Sequence, residues 1–344
     1  MLFNTASSPH SLGRQSVSKV MLTTVLALVP GAIAQVWFFG WGLLANLLIA
    51  NLVALACEAA ILRLRGQPVK PALADGSAVV TACLLALALP PLAPWWLVLV
   101  GTVFAIVVAK HLYGGLGFNP FNPAMVGYVV LLISFPREMT QWLPVAELAE
   151  ARLGLADTFR VVFGGGLPNG VSWDALTGAT PLDKVKTDTA LALTLSEIRT
   201  APMFGDFGGK GWEWLGNAFL LGGVFLIWRR IITWHIPVGV LGGLFLAAAP
   251  FYLLQPDVYP SPLFHVFSGG AMLGAFFIAT DPVTAPSSLR GRLLYGAGIG
   301  VLIYVIRAWG GYPDGVAFAV LLMNMAAPTI DYFFKPLPLG HEKR

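Results

Sequence analysis

Long apolar runs separated by short polar stretches make up most of the chain. A segment of about 20 mostly apolar residues is long enough to cross the roughly 30 Å of hydrocarbon in a bilayer. Ten segments meet or approach that length, which predicts an all-α integral membrane protein with about ten transmembrane helices. The segments are Val20–Phe39, Trp41–Leu62, Ala78–Leu92, Trp95–His111, Asn122–Phe135, Trp212–Trp228, Ile232–Leu254, Leu263–Thr280, Leu293–Trp309 and Val316–Phe334.

The third, fifth and eighth segments are short or interrupted by Pro, Gly and Asn. Inside a bilayer, such irregular backbone is tolerated only where protein or a cavity covers it. The pattern therefore predicts a packed bundle with an internal site.

A polar segment of 76 residues, Pro136–Gly211, separates the fifth apolar segment from the sixth. It divides the chain into residues 1–135, a loop at 136–211 and residues 212–344, with five predicted helices on each side of the loop. The loop has helix-like pieces at Val145–Leu153 and Leu191–Arg199, and a turn-rich piece at Gly164–Gly170. Loops of this length are usually functional or disordered, and these pieces predict a small ordered cap.

Short motifs recur between the two sets of five segments at nearly constant offsets. The pairs are Pro90–Pro94 with Pro282–Pro286, Gly114–Gly115 with Gly310–Gly311, and Asp75–Ser77 with Ser268–Gly270. Because an odd number of spans puts the two halves in opposite orientations, the motifs predict an inverted five-plus-five repeat. The general abundance of Gly and Pro in membrane helices is the alternative explanation.

Composition narrows the class of protein. Hydrophobic residues make up 57% of the chain and charged residues 11%, with a mean hydropathy of +0.75. A soluble domain has about 25% charged residues. The composition thus excludes a cytosolic enzyme, a disordered chain and a nucleic-acid binder, and it leaves the lipid bilayer as the surroundings. Cys57 and Cys83 lie in apolar runs and form no disulfide framework.

The positions of Lys and Arg predict the orientation, because cytoplasmic loops are rich in both. Ten spans put both termini on one side. With the termini in the cytoplasm, that side holds thirteen of the 21 basic residues and the loop 136–211 lies outside the cytoplasm. The thirteen are Arg14, Lys19, Arg63, Arg65, Lys70, Lys110, Arg229, Arg230, Arg290, Arg292, Lys335, Lys343 and Arg344.

The loop contains the most informative motif, Asp174-Ala175-Leu176-Thr177-Gly178-Ala179-Thr180-Pro181. Gly178 allows unusual backbone angles and Pro181 favours an extended Thr180, so the residues predict an accessible turn that presents the Thr180 hydroxyl. A modifying enzyme would be able to esterify that hydroxyl, with Lys184 and Lys186 facing a phosphate. From the residues alone, however, an ordinary Thr-Gly turn is the favoured interpretation.

This motif resembles the recognition sequence of the flavin transferase that joins FMN through its phosphate to the last Thr. Together with Lys110–Ala124 and Asp75–Ser77, it resembles the RnfD family, a membrane component of the Rnf electron-transport complex, over Ser18 to about Leu337. The B component of the sodium-translocating NADH:quinone reductase is a more distant match. The resemblance implies covalent FMN on Thr180, as an anchor, within an attachment motif formed by Asp174, Thr177, Gly178 and Ala179.

The same resemblance implies the function. The chain would be a multi-pass flavoprotein subunit of the bacterial inner membrane, with the loop 136–211 in the periplasm. It would pass electrons in a complex that couples ferredoxin and NAD redox chemistry to Na⁺ or H⁺ translocation. The implied partners are the other Rnf subunits, including a second covalent-FMN subunit, and the flavin transferase. Riboflavin is a candidate second flavin, with Asp75 and Ser77 near one candidate site.

Polar side chains in the apolar segments are further candidates. Asp75 and Asp281 lie at the cytoplasmic ends of the third and eighth segments, where an ion path, a second flavin or simple helix capping would use them. Asn119, Asn122 and Asn324 fit hydrogen bonds between helices or contacts with a neutral flavin ring. No catalytic residue and no metal-ligand set is predicted.

Tryptophan positions fit an aromatic belt at the membrane interface on the non-cytoplasmic side, and Trp142 and Trp212 are among the eight that fall there.

The residues also leave two other functions open. One is a stand-alone transporter or channel for a small solute, which the broken third and eighth segments also fit. The other is a purely structural anchor subunit.

Overall fold

The computed structural model describes residues 16–334, and within them the chain is helical, with only two isolated β-bridges. The two terminal stretches, 1–15 and 335–344, lie outside the described residues. Four of the basic residues that predict the orientation fall there: Arg14, Lys335, Lys343 and Arg344. The prediction of cytoplasmic termini therefore stays a prediction.

The helices before the loop are α1 (Val17–Phe39), α2 (Gly42–Leu64), α3 (Val69–Leu73), α4 (Ser77–Ala88), α5 (Trp95–Val103, continued by a π-helical segment Phe104–His111) and α6 (Pro123–Ser134). The loop contains α7 (Pro136–Thr140), α8 (Leu155–Val162), α9 (Trp173–Leu176), α10 (Pro181–Ala190) and α11 (Leu195–Ile198). After the loop come α12 (Trp212–Trp228), α13 (His235–Leu254), α14 (Pro262–Phe267), α15 (Ala271–Leu273, continued by a π-helical segment Gly274–Ile278), α16 (Leu289–Trp309) and α17 (Val316–Phe333).

Five described helices are long and apolar enough to cross a membrane: α1, α2, α13, α16 and α17. Four more, α4, α6, α12 and α5 with its continuation, are apolar but shorter. These nine helices fall in nine of the predicted apolar segments, and the eighth segment contains the short α14 and α15. Each of the ten segments therefore contains helix, which supports a multi-pass membrane protein. The count of ten spans remains a prediction.

The third segment has only a short helix and the eighth is interrupted, as the sequence predicts. α4 begins at Ser77 because Gly76 adopts a left-handed φ of +79° and the Asp75 carboxylate accepts the Ser77 N–H at 2.7 Å. In the eighth segment, α14 ends at Phe267 and α15 starts at Ala271, with Gly269 between them at φ +63°. The break at Gly269 lies within the predicted eighth segment, whereas the break at Gly76 comes just before the predicted third segment, in which α4 ends at Ala88.

Small residues allow two long helices to approach closely. A Cβ atom on Gly296 of α16 would lie 2.6 Å from the carbonyl oxygen of Ile236 on α13. Only a glycine fits a crossing this close, and small residues spaced four apart are typical of packed membrane helices. A Cβ atom on Gly300, four residues further along α16, would likewise meet the Val240 carbonyl oxygen of α13.

The neighbours in the first set of helices recur in the second. Helix α4 packs against α1, α2 and α6, and α15 with its continuation packs against α12, α13 and α17. Likewise, α5 contacts α2 and α6, whereas α16 contacts α13 and α17. The two sets meet where α1 packs on α12 and α6 packs on α17.

The cap differs from its prediction in one piece. Val145–Leu153 has no helix, because Val145 is buried and the Ala146 N–H donates to the carbonyl of Phe38 at 2.9 Å. These contacts with α1 override the helical propensity of the segment. Leu191–Arg199 is helical only over α11, whereas α8 and α10 are helices that the pattern did not predict.

Candidate functional site

The attachment motif is held as a short helical turn followed by an extended stretch. The Ser172 hydroxyl accepts the Ala175 N–H at 3.3 Å to start α9, and the Thr177 hydroxyl donates to the Trp173 carbonyl at 2.9 Å. Gly178 then forms an antiparallel bridge in which its N–H donates to the Trp142 carbonyl at 2.9 Å. The unusual backbone angles expected of Gly178 are absent, because this bridge holds it extended without a positive φ.

Thr180 has the extended backbone that the sequence predicts, but it is half-buried and caps a helix. Its backbone is extended, at φ −71° and ψ 160°, because Pro181 follows. It is the N-cap of α10, and its hydroxyl oxygen accepts the Asp183 N–H at 3.2 Å. A phosphate joined to that oxygen would lie at the N-terminus of a ten-residue helix, where the helix dipole favours an anion.

Thr180 lines a cleft of about 120 Å³ between the cap and the bundle, which we call the Thr180 cleft. Both sets of helices contribute to it. Its walls include Leu87 and Ala88 of α4, Met125 and Tyr128 of α6, Leu215 and Phe219 of α12, Gly269, Gly270 and Leu273 around α15, and Tyr312, Asp314 and Val316 before and on α17. A half-buried threonine on the wall of such a cleft suits the tethering of a ligand that enters it.

Two tryptophans form part of the same wall. The rings of Trp142 and Trp212 lie 5.1 Å apart, and Phe39 packs on Trp212 at 4.8 Å. Trp212 is buried and Trp142 is half-buried, so both sit between cap and bundle rather than in a lipid-facing belt. Their position follows from the bridge between Trp142 and Gly178, which has no local sequence signal.

A second cleft, of about 110 Å³, lies at the other end of α4 and is here called the Ser77 cleft. Ser77, Lys110, Asn119, Asn122 and Asp281 all line it. The Asp75 side chain does not, because its carboxylate caps Ser77. Consecutive residues of α6 separate the two clefts: Ala124 lines the Ser77 cleft and Met125 the Thr180 cleft.

A buried ion pair borders the Ser77 cleft. The Lys110 ammonium lies 2.6 Å from a carboxylate oxygen of Glu58 and donates to the Ser77 hydroxyl at 2.7 Å. The same carboxylate oxygen is 3.4 Å from the Nε2 of His111. In the sequence, Glu58 and Lys110 are separate charges in two apolar segments, and the fold brings them together across α2 and α5.

A second buried cation lies near the Thr180 cleft. The Arg307 guanidinium contacts the Asp314 carboxylate at 3.0 Å and donates to the Ser268 carbonyl at 3.0 Å. Asp314 in turn accepts the Gly270 N–H at 2.7 Å. Arg307 therefore holds the break before α15, which forms one edge of the cleft.

Amide side chains join the two sets of helices between the clefts. The backbone N–H of Asn122 donates to the side-chain oxygen of Asn324 at 3.0 Å, and the side-chain amide of Asn122 donates to the Ile278 carbonyl at 3.2 Å. Asn324 donates to the Tyr295 hydroxyl at 2.6 Å. The hydrogen bonds between helices expected of Asn122 and Asn324 are thus confirmed.

Burial perturbs two charged groups beside Thr180. It raises the pKa of the Asp183 carboxyl, and the nearby Lys186 ammonium partly opposes that rise. Burial lowers the pKa of Lys186, and Asp183 opposes that fall. The carboxyl that lines the cleft is therefore easier to protonate than an exposed aspartate.

Comparison with known proteins places the chain among membrane redox subunits. The sequence profile described as the NQR2, RnfD, RnfE family matches residues 4–340. A relative from Aeromonas hydrophila, named as the D component of an ion-translocating oxidoreductase complex, is 53% identical over the full length of both chains. Relatives of the same name from Escherichia coli and Vibrio cholerae are 51% and 53% identical, over 100% and 99% of this chain and 100% of theirs.

Proposed function

This chain belongs to the NQR2, RnfD, RnfE family, and from that premise we propose that it is the membrane flavoprotein subunit of an Rnf-type, ion-translocating oxidoreductase complex. Its relatives share about half of its residues across the whole length and carry the name of that complex. The chain is accordingly a translocase subunit that acts with other subunits. A stand-alone transporter has no use for the attachment motif in the cap.

The proposed cofactor is FMN joined through its phosphate to Thr180. The observation that carries this assignment is the position of the Thr180 hydroxyl, at the N-terminus of α10 and on the wall of the Thr180 cleft. When bound, FMN supplies one- and two-electron redox chemistry, whereas the protein supplies position and electrostatics. Thr180 would hold the phosphate and the lining of the cleft would hold the ring. Asp174, Thr177, Gly178 and Ala179 would form the sequence that the flavin transferase recognises.

The Ser77 cleft is the candidate site for a second, non-covalent flavin such as riboflavin. It supplies hydroxyl, amide and ammonium donors from Ser77, Asn119 and Lys110 around an apolar wall. Asp75 would act there indirectly, because its carboxylate accepts the Ser77 N–H and so holds Ser77 at the start of α4. Asp281 also lines this cleft, and its carboxylate accepts the Val283 N–H at 3.1 Å. A carboxylate in this position suits an ion path as well as a flavin.

We further propose that residues 1–135 and 212–344 form an inverted repeat of five spans each, with the loop 136–211 as a periplasmic cap of the bacterial inner membrane. The recurring helix neighbours support the repeat, and the two breaks before α4 and α15 match. The other Rnf subunits, including a second subunit with covalent FMN, would complete the electron path on either side of this chain.

The function is tested by producing the protein in cells that contain the flavin transferase and measuring its fluorescence in a denaturing gel. The chain should fluoresce under ultraviolet light, and Thr180→Ala should abolish the signal. A colourless wild-type chain would contradict the flavoprotein assignment. If Thr180→Ala removed the flavin but left electron transfer by the complex intact, the subunit would be a structural anchor.

A further inference from the structure

Lys186 reaches from the cap to the end of a membrane helix. It lies on α10, and its ammonium donates to the Tyr312 carbonyl at 2.9 Å and to the Arg307 carbonyl at 3.3 Å. It also donates to the carbonyl oxygens of Gly310 and Ile306. One ammonium thus contacts four carbonyl groups around the C-terminus of α16.

The Arg307 carbonyl belongs to the last turn of α16, the Ile306 carbonyl also accepts the Gly310 N–H at 2.9 Å, and Gly310 and Tyr312 follow the end of the helix. The last C=O groups of an α-helix have no N–H donor within the helix, and the helix dipole makes that end negative. A lysine ammonium in this position donates hydrogen bonds to such carbonyl groups and places a positive charge at the negative end of the helix. The contact is therefore a specific attachment of α10 to α16 rather than a chance surface encounter.

Another lysine on the same helix makes no such contact. Lys184 pairs with Asp188 on α10 itself, at 2.7 Å and four residues apart. The two lysines have the same charge and lie two positions apart, yet Lys186 alone bridges cap and bundle in this way.

The attached end of α16 also holds the edge of the Thr180 cleft. The Arg307 side chain binds Asp314, and Asp314 fixes the Gly270 N–H. The Arg307 carbonyl is also one of the groups that Lys186 contacts. Lys186 and Arg307 therefore join α10, α16 and the break before α15 into one connected unit.

We propose that Lys186 is a positioning residue that docks α10 on the C-terminus of α16 and so fixes the place of Thr180 relative to the cleft. What Thr180 carries there rests on the proposed function. The docking itself does not, because every contact that makes it belongs to this chain.

Hydrogen–deuterium exchange of residues 181–190 tests the docking in the purified complex. Loss of the charged hydrogen bonds in Lys186→Met should speed exchange in this helix by about tenfold or more. Lys186→Arg keeps the charge and donors and should exchange like the wild type. The matched control is Lys184→Met, which loses only a part-exposed pair within the helix and should change exchange by no more than about twofold.

Each outcome decides the proposal. Equal exchange in Lys186→Met and wild type would overturn it, and so would equal acceleration in the two methionine variants. If Lys186→Met does not assemble, the milder Lys186→Gln decides on the same criterion. Repeating the comparison of Lys186 and Lys186→Met in a Thr180→Asn background, which keeps the helix cap but has no hydroxyl to carry a flavin, shows whether docking survives without any flavin, so failure of the docking is separable from failure of the FMN assignment.

A second readout distinguishes positioning from general stability. In protein that carries covalent FMN, the flavin signal in a denaturing gel should be the same for Lys186→Met and the wild type. Iodide should quench the flavin fluorescence of the native Lys186→Met protein more strongly than that of the native wild type. Restoration of the wild-type quenching by Lys186→Arg would support positioning. Unchanged quenching in Lys186→Met would contradict it.

Discussion

The hydroxyl oxygen of Thr180 accepts the backbone N–H of Asp183 at 3.2 Å. The atom proposed to carry FMN is therefore the same atom that caps α10. An anion at this end of a helix is favourable, so a phosphate there would compensate for any weakening of the cap. Anchor and cap are separate roles of one residue, and substitutions can separate them.

Thr180→Ala should lose both roles, with no covalent flavin and about 1 kcal/mol less stability of α10. Thr180→Asn should lose only the anchor, because an asparagine side chain caps a helix as well as threonine does. The measurements are gel fluorescence for the flavin and hydrogen exchange of residues 181–190 for the helix. Thr187→Ala, an exposed hydroxyl on the same helix, is the control and should keep both. Flavin on Thr180→Asn would show that the anchor lies elsewhere.

Lys110→Met should destabilise the chain strongly, because it leaves the Glu58 carboxylate buried without its 2.6 Å partner. Breaking a buried ion pair on one side costs about 3–5 kcal/mol, whereas replacing both partners costs far less. The double variant Glu58→Gln with Lys110→Met should therefore recover much of the loss in thermal midpoint. Additive losses from the two single variants would contradict the pairing.

Gly296→Ala should destabilise the packing of α13 on α16, because the added Cβ meets the Ile236 carbonyl at 2.6 Å. Overpacking of this kind costs about 1–3 kcal/mol. Gly242→Ala on α13 is the matched control, since nothing lies within 4 Å of its Cβ and alanine favours helix. The thermal midpoint should fall for Gly296→Ala and hold or rise for Gly242→Ala. Equal thermal midpoints for the two variants would show that α13 and α16 leave room for a Cβ atom at Gly296, which would contradict the prediction.

Asp183 should make stability depend on pH. Because burial raises its pKa, its contribution to stability is fully present below the usual aspartate pKa and is lost as pH rises through the raised value. Asp183→Asn removes that titration. The variant should therefore melt above the wild type at neutral pH, and the difference should narrow toward about pH 4. Parallel melting profiles of the two proteins between these limits would contradict the assignment.

Local chemistry made part of this structure predictable. The break before α4 follows from Asp75 and Gly76, which act within two residues of Ser77, and the extended Thr180 follows from its neighbour Pro181. These features need no distant partner. The sequence pattern alone therefore predicted the extended backbone at Thr180 and the irregular third and eighth segments, whereas the proposal that Thr180 carries FMN comes from the family resemblance.

Distant contacts explain what the pattern missed. Lys110 meets Glu58 across 52 positions, and Lys186 meets Ile306 across 120. The non-helical course of Val145–Leu153 depends on a hydrogen bond to Phe38 at the end of α1. No periodicity within a segment encodes such partners, so the cap's docking and the charged clusters appear only once the helices are assembled.

The mass of the peptide that contains Thr180 tests the central claim most directly. The peptide would be cut from the wild-type protein, made in cells with the flavin transferase, and fragmented to locate any modification. The account predicts a mass increase of one FMN less one water, assigned to Thr180. An unmodified Thr180 in that peptide, or the flavin on another residue, would contradict it.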